Sequence, residues 1–209
     1  MFCRITSSGY NHIMSSPVQT PPLDSLTATA KTASAKGPPP VHLWHPDYCG
    51  EIDMRIAADG TWFYMGTPIG RPALVKLFAS ILRKDPERYV LVTPVEMVGI
   101  TVDDAPFIAV AMERESDASG QRLIFRTNVE DMTSISADHP MRFSFDARGG
   151  VTPYVHVRGE LWAKVSRPVF YDLVALGEER KVDGVTMFGI ASGGAFFPII
   201  EAARLSELE

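Results

Sequence analysis

The sequence predicts an α+β protein of two related β-rich units, each a curled antiparallel sheet (a roll) packed on one helix, behind a disordered N-terminal leader. Three observations predict it. Residues 1–40 are rich in Ser, Thr, Pro and Ala and end in Gly37-Pro38-Pro39-Pro40. The body that follows is a series of short alternating segments broken by Gly, Pro and Asp. A hairpin followed by a helix that opens with Arg-Pro occurs twice, at Arg71-Pro72 and Arg167-Pro168. The expected domains are the leader over 1–40, a first hairpin–helix–hairpin unit over 41–103, and a second β-rich unit over 104–209 that repeats the motif.

The leader has too few apolar side chains to offset the entropy of ordering its backbone. It lacks an apolar stretch of signal-peptide length, and Met1 and Met14 are both candidate starts. It is expected to be dispensable for folding. The body opens on Ile52, Met54 and Ile56 alternating with Asp53 and Arg55, the period of a half-buried strand. Asp59-Gly60 supplies a turn. Trp62, Phe63 and Tyr64 return as an aromatic strand. The spacing of Leu74, Leu77, Phe78, Ile81 and Leu82 predicts a helix over 71–83, with Pro72 in the first turn, where its missing N–H is harmless.

Strands are expected at 89–93, 95–102, 106–113, 122–127, 132–135 and 141–145. The opening pattern then returns as strands at 154–157 and 161–165, and a helix at 167–176 closed by Gly177. A last hairpin crosses Gly193-Gly194. Arg71 to Leu77 aligns with Arg167 to Leu173, and Gly60 with Gly159. Each unit curls its sheet over a helix because a lone hairpin cannot cover its own apolar face.

The 209 residues are 45% apolar and 22% charged, ordinary values for a chain with a packed core. No apolar run is long enough to span a membrane as a helix. The formal charge is −5. The leader sets Arg4, Lys31 and Lys36 against Asp24, so the rest of the chain holds −7. An acidic body argues against nucleic acid as a partner. The two cysteines, Cys3 and Cys49, give no disulfide framework, which agrees with a cytoplasmic location. His45, Asp47 and Cys49 offer three donors without a fourth, so no metal site is expected. No cofactor is expected either, because the chain has neither a phosphate loop nor a dinucleotide fingerprint.

The stretch from Trp44 to Phe107 is similar to a bacterial domain-of-unknown-function family, number 1285. The residues that carry the similarity include Trp44, Pro46, Cys49-Gly50, Ile52 to Ile56, Asp59 to Tyr64, Gly66 to Ile69, Arg71, Leu74 to Ala79, Leu91 to Glu96 and Asp104 to Phe107. It continues through Pro153-Tyr154-Val155, Val157-Arg158, Arg167 and Phe170 to Val174. The resemblance implies two related β-rich units with helices gripped by curled sheets, and a role in small-molecule sensing or signalling. It brings no catalytic residues.

The candidate ligand-binding residues are Trp44, His45, Asp53, Arg55 and Arg71. Trp44-His45-Pro46-Asp47 could stack on and hydrogen-bond a small ligand; the competing role is to anchor the leader junction. Asp53 and Arg55 share a strand face and could line a groove. Arg71 and Arg167, at helix starts, suit an anion. Their competing role is pairing with a carboxylate such as Glu96 or Asp104. His156 reads as a hydrogen-bonded structural histidine. Ser192-Gly193-Gly194 has the wrong spacing for a nucleophile elbow and reads as a tight turn. The preferred reading is a non-catalytic small-molecule-binding or regulatory module. Next comes a protein-interaction module acting through a homodimer surface. Last is an enzyme whose dispersed site combines His45, Asp53 and Arg71. The expected partners are therefore a small molecule or a protein.

Overall fold

A computed structural model gives the fold and describes residues 23–34, 37–117 and 120–205. Cys3, Met14 and most of the expected leader lie outside the described residues. The chain divides into two compact units, Met1–Asp104 and Ala105–Glu209. No helix among the described residues is long and apolar enough to cross a membrane.

The first unit begins with a helix, α1 (Leu23–Ser34), where an unstructured leader was expected. Leu26 and Ala30, four residues apart, are buried on one face, and Ser34 Oγ lies 3.2 Å from Ser80 Oγ. Tertiary packing on that narrow Leu/Ala stripe overrides a composition that reads as disordered. Six strands and a second helix follow: β1 (Tyr48–Ile56), β2 (Trp62–Tyr64), β3 (Thr67–Pro68), α2 (Pro72–Ser80), β4 (Leu82–Lys84), β5 (Tyr89–Val92) and β6 (Met97–Val102). They form one curled sheet in the order β3-β2-β1-β6-β5-β4. Ile52, Met54 and Ile56 are buried on the core face of β1, as their alternation predicts. The helix is three residues shorter at its end than its apolar stripe suggests. Leu82 pairs with Leu91 on β5, and the Ile81 carbonyl accepts from Val92 N–H. Strand pairing therefore takes over while Ile81 and Leu82 stay buried. Phe78 is wholly buried, stacked at 6.5 Å on Trp62, whereas Leu77 is only half-buried.

The second unit builds its six-stranded sheet from β7 (Phe107–Asp117), β8 (Gly120–Thr127), β9 (Met132–Ser134), β10 (Met141–Phe145), β11 (Val151–Arg158) and β12 (Leu161–Val165). The order is β10-β11-β12-β7-β8-β9. Then come α3 (Arg167–Val174) and a separate sheet of β13 (Glu178–Val182), β14 (Val185–Ser192) and β15 (Ala195–Glu201). Val169 and Leu173 are the buried residues of α3. The charged strand β13 is mostly exposed and shows no alternation, which is why the sequence hides it.

Each six-stranded sheet is antiparallel except at its centre, where its first and last strands run parallel: β1 beside β6, and β7 beside β12. Two three-stranded meanders meet at that pair. The repeat is thus one of whole sheets, β1–β6 against β7–β12. The hairpin–helix motif recurs at a different point of it. The α2 helix connects the two meanders of its sheet, whereas α3 follows a finished sheet. Likewise Gly60 turns β1 into β2, whereas Gly159 turns β11 into β12, so the two glycines are not equivalent.

Gly193-Gly194 is the turn between β14 and β15, and Ser192, the last residue of β14, ties it to the second sheet. Ser192 Oγ donates to the Ile135 carbonyl at 2.8 Å and accepts from Leu123 N–H at 2.9 Å, and the serine is buried. A Cβ on Gly193 would come within 2.6 Å of the Ile135 oxygen.

Two stability outcomes follow. Phe78→Ala is expected to cost about 3–5 kcal/mol, well above Leu77→Ala, with Leu173→Ala about 2–5 kcal/mol. Denaturant unfolding curves of the three variants check the order. Ser192→Ala leaves a buried N–H and a carbonyl unpaired and should cost about 1–3 kcal/mol by the same assay.

Candidate functional site

The first unit places Asp53 and Arg55 together, on the open face of β1. With Phe63, Gly66 and Thr101 they line a shallow groove of about 240 Å³. Arg55 is engaged there, with Nη1 2.7 Å from Asp103 Oδ2 and its guanidinium 4.9 Å from the Phe63 ring centroid. Trp44 and His45 are elsewhere, beside the β4 edge. The Trp44 carbonyl accepts from Arg83 Nη1 at 2.7 Å and the Val41 carbonyl at 2.9 Å, while Arg83 also grips Asp85. This guanidinium fastens residues 41–44 to the sheet through the Val41 and Trp44 carbonyls. His45 is exposed.

Arg71 is the N-cap of α2, exposed, with no ion pair among the described residues. Glu96, a carboxylate proposed to hold it, has a buried Oε1 without a hydrogen-bond partner among the described residues. Burial pushes the Glu96 carboxyl above its ordinary range. No contact or cavity among the described residues joins His45, Asp53 and Arg71.

The larger groove is in the second unit, between the β10–β11 turn, β12 and the start of α3. Its volume is about 460 Å³, and its walls include Asp146, Thr152, Lys164, Arg167, Phe170 and Tyr171. The turn is shaped by Asp146 Oδ1, which accepts from the N–H groups of Arg148 at 2.7 Å and Gly150 at 2.8 Å. A Cβ on Gly150 would meet Asp146 Oδ2 at 2.5 Å, so a larger residue at the rim would have to displace that carboxylate. Arg167 Nε donates to the Tyr171 hydroxyl at 3.1 Å, one helical turn on, and that bond raises the arginine further above its usual range. The Ser166 side chain makes no capping bond, so the N–H groups of Arg167 and Val169 have no side-chain cap, and Pro168 has no N–H to offer. Two cations, an uncapped helix start and two aromatic rings thus surround one concave space.

Among the described residues neither arginine at a helix start is held by a carboxylate, contrary to the structural role weighed for them. The sequence offered Arg167 as a signal for the groove. Thr152, Lys164 and Tyr171 carried none, being spread over three elements.

With this geometry the family is decided by two matches. The N-terminal domain of DUF1285, a domain of unknown function, matches residues 39–105, and the C-terminal domain of the same family matches residues 106–199. The chain belongs to the DUF1285 family. Its structure is similar to that of a DUF1285 family protein from Silicibacter pomeroyi DSS-3, at 50% identity and a TM-score of 0.78, over 87% of this chain and 97% of that one. It is also similar to a DUF1285 family protein from Shewanella baltica OS155, at 31% identity and a TM-score of 0.49, over 59% of this chain and 91% of that one. No curated protein matches the chain.

Two outcomes test these assignments. Arg83→Ala should cost about 1.5–3 kcal/mol through lost charged hydrogen bonds, whereas Arg71→Ala should leave the unfolding midpoint unchanged. For Glu96 the folded-state value lies above the unfolded one. Its protonated form therefore favours the fold at low pH, and that contribution is lost as pH rises through the folded-state value. Glu96→Gln should raise the melting temperature near neutral pH, with the gain fading below about pH 4, where the carboxyl is protonated in both states.

Proposed function

We propose that this DUF1285 protein is a non-catalytic binding module of a regulatory kind. Its ligand is a small organic anion seated in the groove of the second unit. The observation that carries the reading is the convergence of Lys164 and Arg167 on one cavity with Phe170 and Tyr171. A cavity of about 460 Å³ lies within the range of about 300–1,000 Å³ typical of small-molecule sites. The two cations, with Arg167 at the positive end of α3, would hold a carboxylate or phosphate. The rings would cover the apolar remainder of the ligand. Asp146 is already committed to its turn, and no nucleophile–base pair faces the space, so binding rather than turnover is the chemistry supported.

Inorganic phosphate serves as the probe. Millimolar phosphate should raise the melting temperature of the wild type and of Arg71→Ala, through the linkage between binding and stability. It should leave Arg167→Ala and Lys164→Ala unshifted. Equal shifts in all four proteins would sink the reading. Native mass spectrometry of freshly purified protein should show a retained small molecule that Arg167→Ala loses.

A further inference from the structure

The three-stranded sheet of the second unit, in the order β13-β14-β15, treats its two edges differently. The β15 edge is blunted by Pro198 and by a register shift between Pro198 and Ile200. The β13 edge has neither device. Its five residues pair with β14 in unbroken register, and all but Val182 are exposed.

The turn after β13 decides which of its backbone groups are left over. Asp183 and Gly184 both have positive φ, 50° and 87°, as a two-residue hairpin turn of type I′ requires. A hydrogen-bonded pair closes such a turn, here Val182 with Val185. Pairs alternate along an antiparallel ladder, so Val182, Arg180 and Glu178 spend their N–H and C=O groups on β14. Those of Glu179 and Lys181 point out from the edge, and no hydrogen bond among the described residues takes them. The side chains divide in the same way. Arg180 Nε lies 2.5 Å from Glu178 Oε1, and its guanidinium leans inward across the sheet to 5.3 Å from the Phe196 ring centroid. Glu179 and Lys181 share the other face, with no ion pair among the described residues.

We propose that β13 pairs antiparallel with β13 of a second copy of this chain, joining two three-stranded sheets into one of six strands. A two-fold axis through an antiparallel pair must pass beside a residue that faces its own copy. With the axis at Arg180, Glu179 faces the partner's Lys181 and Lys181 faces the partner's Glu179. Both are hydrogen-bonded pairs, so the leftover N–H groups meet the leftover carbonyls. Each pair also sets a carboxylate against an ammonium. The two Arg180 guanidinium groups face each other on the opposite side, where Glu178 and Phe196 draw each one back from the join. An axis at Glu179 or at Lys181 sets like charges opposite and loses both Glu–Lys matches. A charged edge keeps strands apart when its charges repel. This edge is complementary to itself.

Sedimentation velocity of the full chain over a concentration series should show a monomer–dimer equilibrium. Glu179→Lys and Lys181→Glu each set like charges across the join and should leave monomer. The double variant restores opposite charges and should dimerise again. In the wild type, amide exchange at Glu179 and Lys181 should slow as concentration rises, while Arg180 and Val182 stay protected throughout. A wild type that remains monomeric at its highest soluble concentration would overturn the proposal. So would a dimer that survives both single reversals, or a double variant that fails to dimerise. If a variant folds poorly, the wild-type exchange pattern decides, and Glu179 and Lys181 amides that exchange at the monomer rate within a dimer count against the pairing.

Discussion

The parallel pair at the middle of each six-stranded sheet is the constraint on which the rest depends. It sets the first strand beside the sixth, so the chain must finish one meander at one edge and begin the other at the opposite edge. Five strand gaps of about 4.8 Å put those edges roughly 24 Å apart in a flat sheet. The first unit spans its sheet with α2. The second has only residues 135–140, so Ser134 to Met141 spans about 24 Å at full stretch, barely the flat-sheet separation. A curl that brings the edges together spares that segment full extension. Thr133 on β9 then reaches the carbonyl of His156 on β11, and the Pro140 carbonyl accepts from His156 N–H. His139 and His156, with Nδ1 atoms 3.1 Å apart, sit on that seam.

Much of the fold was legible because it is local. The alternation in β1, the aromatic β2 and the apolar stripes of both helices report burial residue by residue, and burial confirms them at Met54, Trp62, Phe78 and Leu173. The parallel pairing was not legible, because it joins segments about fifty residues apart and leaves no period in the sequence. The α1 helix was masked by its Ser/Thr-rich composition. Its Thr27, Thr29 and Thr32 hydroxyls turn back onto carbonyls four residues earlier, so they are satisfied within the helix without stabilising it, and packing of Leu26 and Ala30 has to hold it.

The two Arg-Pro sites show why an identical dipeptide does not mean an identical role. Four residues beyond Arg71 stands Val75, which offers no acceptor. Four beyond Arg167 stands Tyr171, whose hydroxyl holds the guanidinium at the groove. The difference lies in the i+4 residue and in what the helix start faces. The pattern that announces a helix contains neither. For the same reason the candidate residues of the first unit scattered. Asp53 and Arg55 share a strand, so alternation alone brings them together. Trp44, His45 and Arg71 belong to separate elements, and no sequence spacing forces them to converge.

Seam and groove lie on the same two strands, which gives the second unit a continuous polar-aromatic face. His156 pairs with Trp162, and Tyr154 with Lys164 across β11 and β12, while Arg142 of β10 pairs with Tyr154. Residues two apart on a strand point the same way. His156, Tyr154 and Thr152 therefore share a face with Trp162, Lys164 and Arg142. The Arg142 guanidinium lies 4.4 Å from the Trp162 ring centroid and 5.0 Å from that of Tyr154. The first unit lacks such a face. Its Arg55 is spent on Asp103 and Phe63, and its Arg83 on holding the entering chain. Two sheets of one topology thus carry different side-chain arrangements on corresponding strands.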